Sequence, residues 1–234
     1  MKTKQESFFK KNFKLSFEFL KEFKWHSIFA LGIFCLFFLT GFLYPYLFRE
    51  KIIELITNLA SLIEGKNAFQ IISLIFFNNI KASFLAMILG LSFGLFPLIT
   101  IIGNGYLLGF VARETALIEG ISILWKLFPH GIFELPAIIL AVGIGLKIGY
   151  STILFIGDFM EKYKKKLNLF ILILLFIISP LIFLAVAYFI SRKTKLVKGI
   201  NGNLKKGFRF FIFVIIPLLL IAAVIEGILI GIGL

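Results

Sequence analysis

The sequence predicts an all-α membrane protein: a polytopic bundle of about five spanning helices, with six as the alternative, plus a basic amphipathic helix at the N-terminus. Three observations predict it. The 234 residues are 60% hydrophobic, with 31 phenylalanines and a mean hydropathy of +1.02, whereas a soluble domain is ~45–50% apolar. Several apolar runs reach the ~18 residues that suggest a spanning helix. Lysine and arginine gather at the ends of those runs, as they do in cytoplasmic loops.

The net charge of +13 raises nucleic acid as a partner, but the placement of the bases at span ends excludes it and points to the lipid bilayer. Cys35 is the single cysteine and lies in an apolar run, so an internal disulfide or a CxxC site is excluded. No cofactor is expected. The N-terminal polar region and the long apolar run after it read as an uncleaved first span rather than a signal peptide.

Residues 1–25 are expected to form a cytoplasmic surface helix. At 100° per residue Phe8, Phe9, Phe13, Leu15, Phe17, Phe19, Leu20 and Phe23 share a face, opposite Lys10, Lys11, Lys14, Glu18, Lys21 and Glu22. A phenylalanine face backed by lysines suits the headgroup boundary of an anionic leaflet, or packing on the protein's own loops. Residues 26–234 form a single transmembrane domain, with the first span near 27–48. Residues 49–68 carry an Ile52, Ile56, Leu59, Ile63 stripe and predict a second surface helix on the other side.

The second span is expected near 77–102. No charge appears from 84 to 112, more than one upright span needs. Pro97 and the Gly103-Asn104-Gly105 turn predict a broken or re-entrant continuation to 112, or else a true extra span. Further spans are expected near 131–156, with Pro136 in its first turn, near 167–190 with a kink at Pro180, and near 210–234. Five spans place the N-terminus and the basic 192–209 loop in the cytoplasm. They leave the Lys162–Lys166 cluster outside, against the positive-inside trend. The expected location is the cell membrane, multi-pass, with the N-terminus cytoplasmic.

Small residues recur at i+4 in three spans: Ala82, Ala86, Gly90 and Gly94; Ala137, Ala141, Gly145 and Gly149; Ala223, Gly227 and Gly231. Such ladders let helix backbones approach closely in lipid. They predict an inner bundle of these three spans, with the spans at 27–48 and 167–190 peripheral. The partner helix belongs to the same chain or to a second copy.

Few polar residues enter the apolar runs. His130 and Glu134 share a helical face at the mouth of one span. They read as a structural pair, part of a proton or ion relay, or two ligands of a metal, which would need a third. Glu226 lies in the otherwise uncharged last span and must snorkel or find a partner. Asn78 and Asn79 stand at the start of another span, and Asn104 sits between two glycines. Lys147 needs a partner, for which Glu226 is a candidate. No catalytic or metal-binding motif is present.

These residues carry a resemblance. Asn79 before an Ala/Gly-rich span, Asn104-Gly105, Pro129-His130-Gly131 with Glu134-Leu135-Pro136-Ala137, and Ala222-Ala223 with Glu226 resemble the stage II sporulation protein M family. The resemblance implies a polytopic integral membrane protein. In spore-forming bacteria it implies a member of a septal complex that helps localise a peptidoglycan hydrolase and a partner protein. The first functional expectation is therefore a scaffold or assembly partner, as a homo-oligomer or with other membrane proteins. A small-solute or ion transporter using His130, Glu134 and Glu226 comes second. An intramembrane metal-dependent enzyme comes third.

Overall fold

The computed structural model describes residues 7–120, 128–163 and 195–231, without the side chains at 128–130, 163, 196 and 231. The described residues form helices joined by short turns. Helix α1 is Phe8–Leu43, followed by a 3₁₀ turn Pro45–Phe48 and α2, Arg49–Ile63. Then come α3, Ala68–Ile88, a 3₁₀ turn Leu89–Leu91, and α4, Leu95–Glu119. Helix α5 is Phe128–Tyr163, α6 is Lys195–Phe210, a π-helical turn covers Phe211–Ile215, and α7 is Ile216–Gly231. Among the described residues, five stretches are long and apolar enough to cross a membrane: Phe8–Leu43, Ala68–Leu91, Leu95–Glu119, Gly131–Lys162 and Val197–Ile230. The protein is an all-α polytopic bundle.

Several boundaries differ from expectation. The surface helix and first span are one continuous helix: no Pro interrupts 8–43, and its two glycines, Gly32 and Gly41, stand singly and are carried within the helix. Its predicted apolar face divides. Phe19 and Phe23 are buried, while Phe8, Phe9 and Phe17 remain exposed. The uncharged 84–112 region is a hairpin of two spans, not one broken span. The reversal falls at 89–94, where Phe93 and Gly94 take φ of 60° and 77°. Pro97 lies in the first turn of α4, where its missing N–H costs little, and 103–105 is regular helix. Pro136, by contrast, stands inside α5, which begins earlier, at Phe128. The basic 192–209 loop is mostly helix α6, continuous with the last span through the π turn. The span expected at 167–190 lies outside the described residues.

The helices interlock through glycine. Gly90 rests on Gly145, Gly145 on the Ala86 carbonyl and Pro97, and Gly149 on Phe93 and Gly94. Ala137 and Ala141 are fully buried, as is Ala223. Thus the ladders on α3 and α5 meet one another within the chain, in parallel register. Ala82 is exposed and takes no part; its ladder begins one turn later. Gly227 seats on Ile72 of α3. Gly231 ends α7, beyond the described side chains.

A second glycine seam brings α1 into the bundle rather than leaving it peripheral. Gly105 and Gly109 of α4 face the Phe34 and Phe38 carbonyls, and Gly41 faces Tyr106 and Phe110. Arg113 adds a cation–π contact to Phe42 at 5.6 Å.

These contacts fix two ends. At one, the Glu22 carboxylate of α1 accepts Lys206 of α6 at 2.6 Å and lies 3.8 Å from Lys147 of α5. The α3–α4 reversal lies at this end, against Gly149. Phe155 and Phe159 of α5 pack there with Val197 and Ile200 of α6. Both flanks of 164–194 are therefore side by side. At the far end Tyr106 donates to the Tyr44 carbonyl at 2.7 Å, and Arg49 pairs with Glu114 at 3.0 Å. Helix α2 lies here with no buried residue, as expected of a surface helix.

Candidate functional site: a carboxylate cavity near the far end

A cavity of ≈ 320 Å³ opens in the far half of the bundle. One side comes from α4: Asn104, Leu107, Leu108 and Val111. Another comes from α5: Gly131, Glu134, Leu135 and Ile138; Glu226 of α7 completes it. The spacing explains the lining. Residues at i, i+3, i+4 and i+7 fall on one helical face, and both α4 and α5 present such a set.

Four polar residues expected to matter are brought together here. The Asn79 side chain of α3 lies within reach of the Glu134 carboxyl group as a donor, and Glu226 lies close enough for the two carboxyl groups to interact electrostatically. Asn104 lines the same space and donates to the Thr100 carbonyl one turn back at 2.8 Å. The cluster thus draws one side chain each from α3, α4, α5 and α7. Asn78 is exposed. The backbone of His130 belongs to the first turn of α5, one turn from Glu134; its side chain is outside the described set.

Among the described residues the cavity ends on an apolar wall. Ile138 forms part of its wall and packs with Ile101, Val142, Ala30 and Phe34, all buried. Beyond this plug come the Gly90–Gly145 and Gly94–Gly149 contacts. Two carboxyl groups side by side in a low-dielectric recess make a polar spot in an otherwise apolar wall. Among the described residues, no three His, Cys, Asp or Glu side chains are grouped to hold a metal ion.

Lys147 does not meet Glu226, because α5 carries it to the opposite end. Its ammonium donates instead to the Glu22 carbonyl at 3.0 Å, and both it and Lys206 lie over the Phe19 ring, at 6.0 and 5.8 Å. Sequence reasoning missed Glu22 by assigning it to a solvated face. The signal was Lys147 itself, a base inside an apolar run that required a partner.

A family model for stage II sporulation protein M matches residues 28–229. The chain belongs to the stage II sporulation protein M family. The match takes in α1 to α7, well beyond the segments that first carried the resemblance. An uncharacterised protein of Methanocaldococcus jannaschii is 36% identical over 87 residues, covering 36% of this chain and 49% of its own. The match thus spans about half the length of that relative. No solved structure matches.

Proposed function

We propose that this stage II sporulation protein M family member is an assembly partner within a membrane complex. The observation that carries this reading is that the cavity ends on an apolar wall. Among the described residues, its apolar floor and the backbone-to-backbone glycine contacts leave no continuous polar path between the two ends. Among the described residues, largely exposed apolar helix surface lies at both ends, on α2 at one and on the N-terminal part of α1 at the other. A cavity with two carboxyl groups suits capture of a polar side chain from a partner.

Charge distribution supports a cytoplasmic N-terminus. Lys10, Lys11, Lys14 and Lys21 of α1, Lys162 of α5, and Lys195 and Lys198 of α6 all belong to the Glu22 end. Glu18, Glu22, Asp158 and Glu161 are the acids at that end, whereas the far end mixes Arg49, Lys51, Lys66 and Arg113 with Glu50, Glu54, Glu64, Glu114 and Glu119. That asymmetry follows the positive-inside rule, and under this reading Lys162 lies on the inside.

The test is the size of the protein extracted from its native membrane in mild detergent. A discrete assembly larger than the chain in its detergent micelle is expected, and Leu55→Glu on α2 should reduce it. Recovery of the isolated chain alone would contradict the reading. A second reading, a small-cation transporter, is favoured by the facing Glu134 and Glu226. It requires flux in proteoliposomes that Glu134→Gln abolishes while the fold is kept.

A further inference from the structure

Helix α6 sorts its residues by chemistry. Val197 and Ile200 are buried against α5, and Gly207 against Ile144. On the opposite side stand Lys195, Lys198, Lys205 and Arg209, which fall within one arc at 100° per residue. The first three are exposed and Arg209 is half-exposed. No acidic residue occurs in α6. Among the described residues its ion pairing is confined to Lys206 with Glu22, so those four cations face outward without a carboxylate.

The N-terminal part of α1 lies alongside. Phe8, Phe9 and Phe13 meet the Phe213 ring, at 5.9, 6.1 and 6.5 Å, one turn beyond Arg209. Phe8 and Phe9 are nevertheless 69% and 66% exposed, and Lys10, Lys11 and Lys14 alternate with them. Trp25 is exposed at the same end, with the Lys24 ammonium 5.2 Å above its ring. Helix α6 runs into the last span without a break, so its basic face is held at a fixed height relative to the bilayer.

We propose that the basic face of α6 and the N-terminal part of α1 form a docking surface for anionic phospholipid headgroups of the adjoining leaflet. The lysines and Arg209 take the phosphates, and the exposed phenylalanines enter the acyl boundary. Charge complementarity selects the occupant, and interleaved exposed aromatics distinguish it from a soluble acidic protein, which would leave them in water.

The test is native mass spectrometry of the full chain reconstituted with equal amounts of phosphatidylglycerol and phosphatidylcholine. Wild type should retain phosphatidylglycerol by about tenfold or more over phosphatidylcholine, and rising salt should lower that ratio. Combined Lys195→Gln, Lys198→Gln, Lys205→Gln and Arg209→Gln should bring the ratio close to one. Lys51→Gln with Lys66→Gln, at the far end, should leave it unchanged. Equal retention by wild type, an unchanged ratio in the combined variant, or an equal loss in the far-end control overturns the proposal. Should the combined variant fail to fold, Lys198→Gln and Lys205→Gln are read singly; each should lower the ratio about twofold or more, and no change in either overturns it.

Discussion

Gly90 lies so close to Gly145 that a methyl group on Gly90 would overlap the Gly145 backbone, and one on Gly145 would overlap the Ala86 carbonyl and the Pro97 ring. Parallel helices α3 and α5 touch there through main chain. In lipid, where apolar burial drives helix association little, such close approach and the dispersion contacts it permits hold the bundle.

Gly145→Ala should therefore destabilise the protein by ~1–3 kcal/mol, the usual cost of overpacking. Gly103→Ala is the matched control. It lies in regular helix α4 with open space where its Cβ would stand, and should be neutral or slightly stabilising. Thermal unfolding in detergent distinguishes them; equal effects would contradict the seam.

Glu22 sits between two ammonium groups that differ in exposure. The Lys147 side chain is 17% exposed and that of Lys206 is 44% exposed. Removing the carboxylate with Glu22→Gln leaves Lys147 poorly compensated, for a loss of ~1–3 kcal/mol. Lys206→Gln should cost only ~0–1 kcal/mol, as for other exposed pairs. The order of the two midpoints, read by near-UV circular dichroism, checks this.

Asn79 and Glu134 should be coupled. Glu134→Ala leaves the Asn79 amide without its acceptor, at ~1–3 kcal/mol, whereas Glu134→Gln keeps an acceptor oxygen and should cost less. A double-mutant cycle with Asn79→Ala should return a coupling of about 1 kcal/mol. Strict additivity would separate the two side chains.

Tyr106→Phe removes the hydrogen bond to the Tyr44 carbonyl but keeps the ring, which packs edge-on to Phe48 at 5.7 Å. The expected loss is ~0.5–1.5 kcal/mol. Faster amide hydrogen exchange should be confined to the turn at 44–48; a spread through α4 would contradict this.

The sequence made the membrane class and the α3–α5 ladders legible, because apolar length and i+4 spacing are local properties. It misplaced the reversal in the 84–112 region because Pro97 and Gly103-Asn104-Gly105 are strong local breakers. A proline in a helix's first turn is harmless, however, and Gly105 was needed for contact with α1 rather than for a turn. The decisive backbone states, positive φ at Phe93 and Gly94, have only one glycine to announce them. Likewise the i+4 distance between His130 and Glu134 was visible, whereas the meeting of Glu134 with Asn79, Asn104 and Glu226 depends on which helices are neighbours.

Sidedness of labelling tests most directly the proposal that the cavity is blind and opens away from the basic end, with that end in the cytoplasm. In a Cys35→Ser background, Leu107→Cys places a thiol on the cavity wall and Lys198→Cys places one on α6. A membrane-impermeant maleimide should label residue 107 in right-side-out vesicles and leave it unlabelled in inside-out vesicles, with residue 198 showing the reverse. Labelling of residue 107 from the basic side, or its protection from both sides, would contradict the blind, outward-facing cavity.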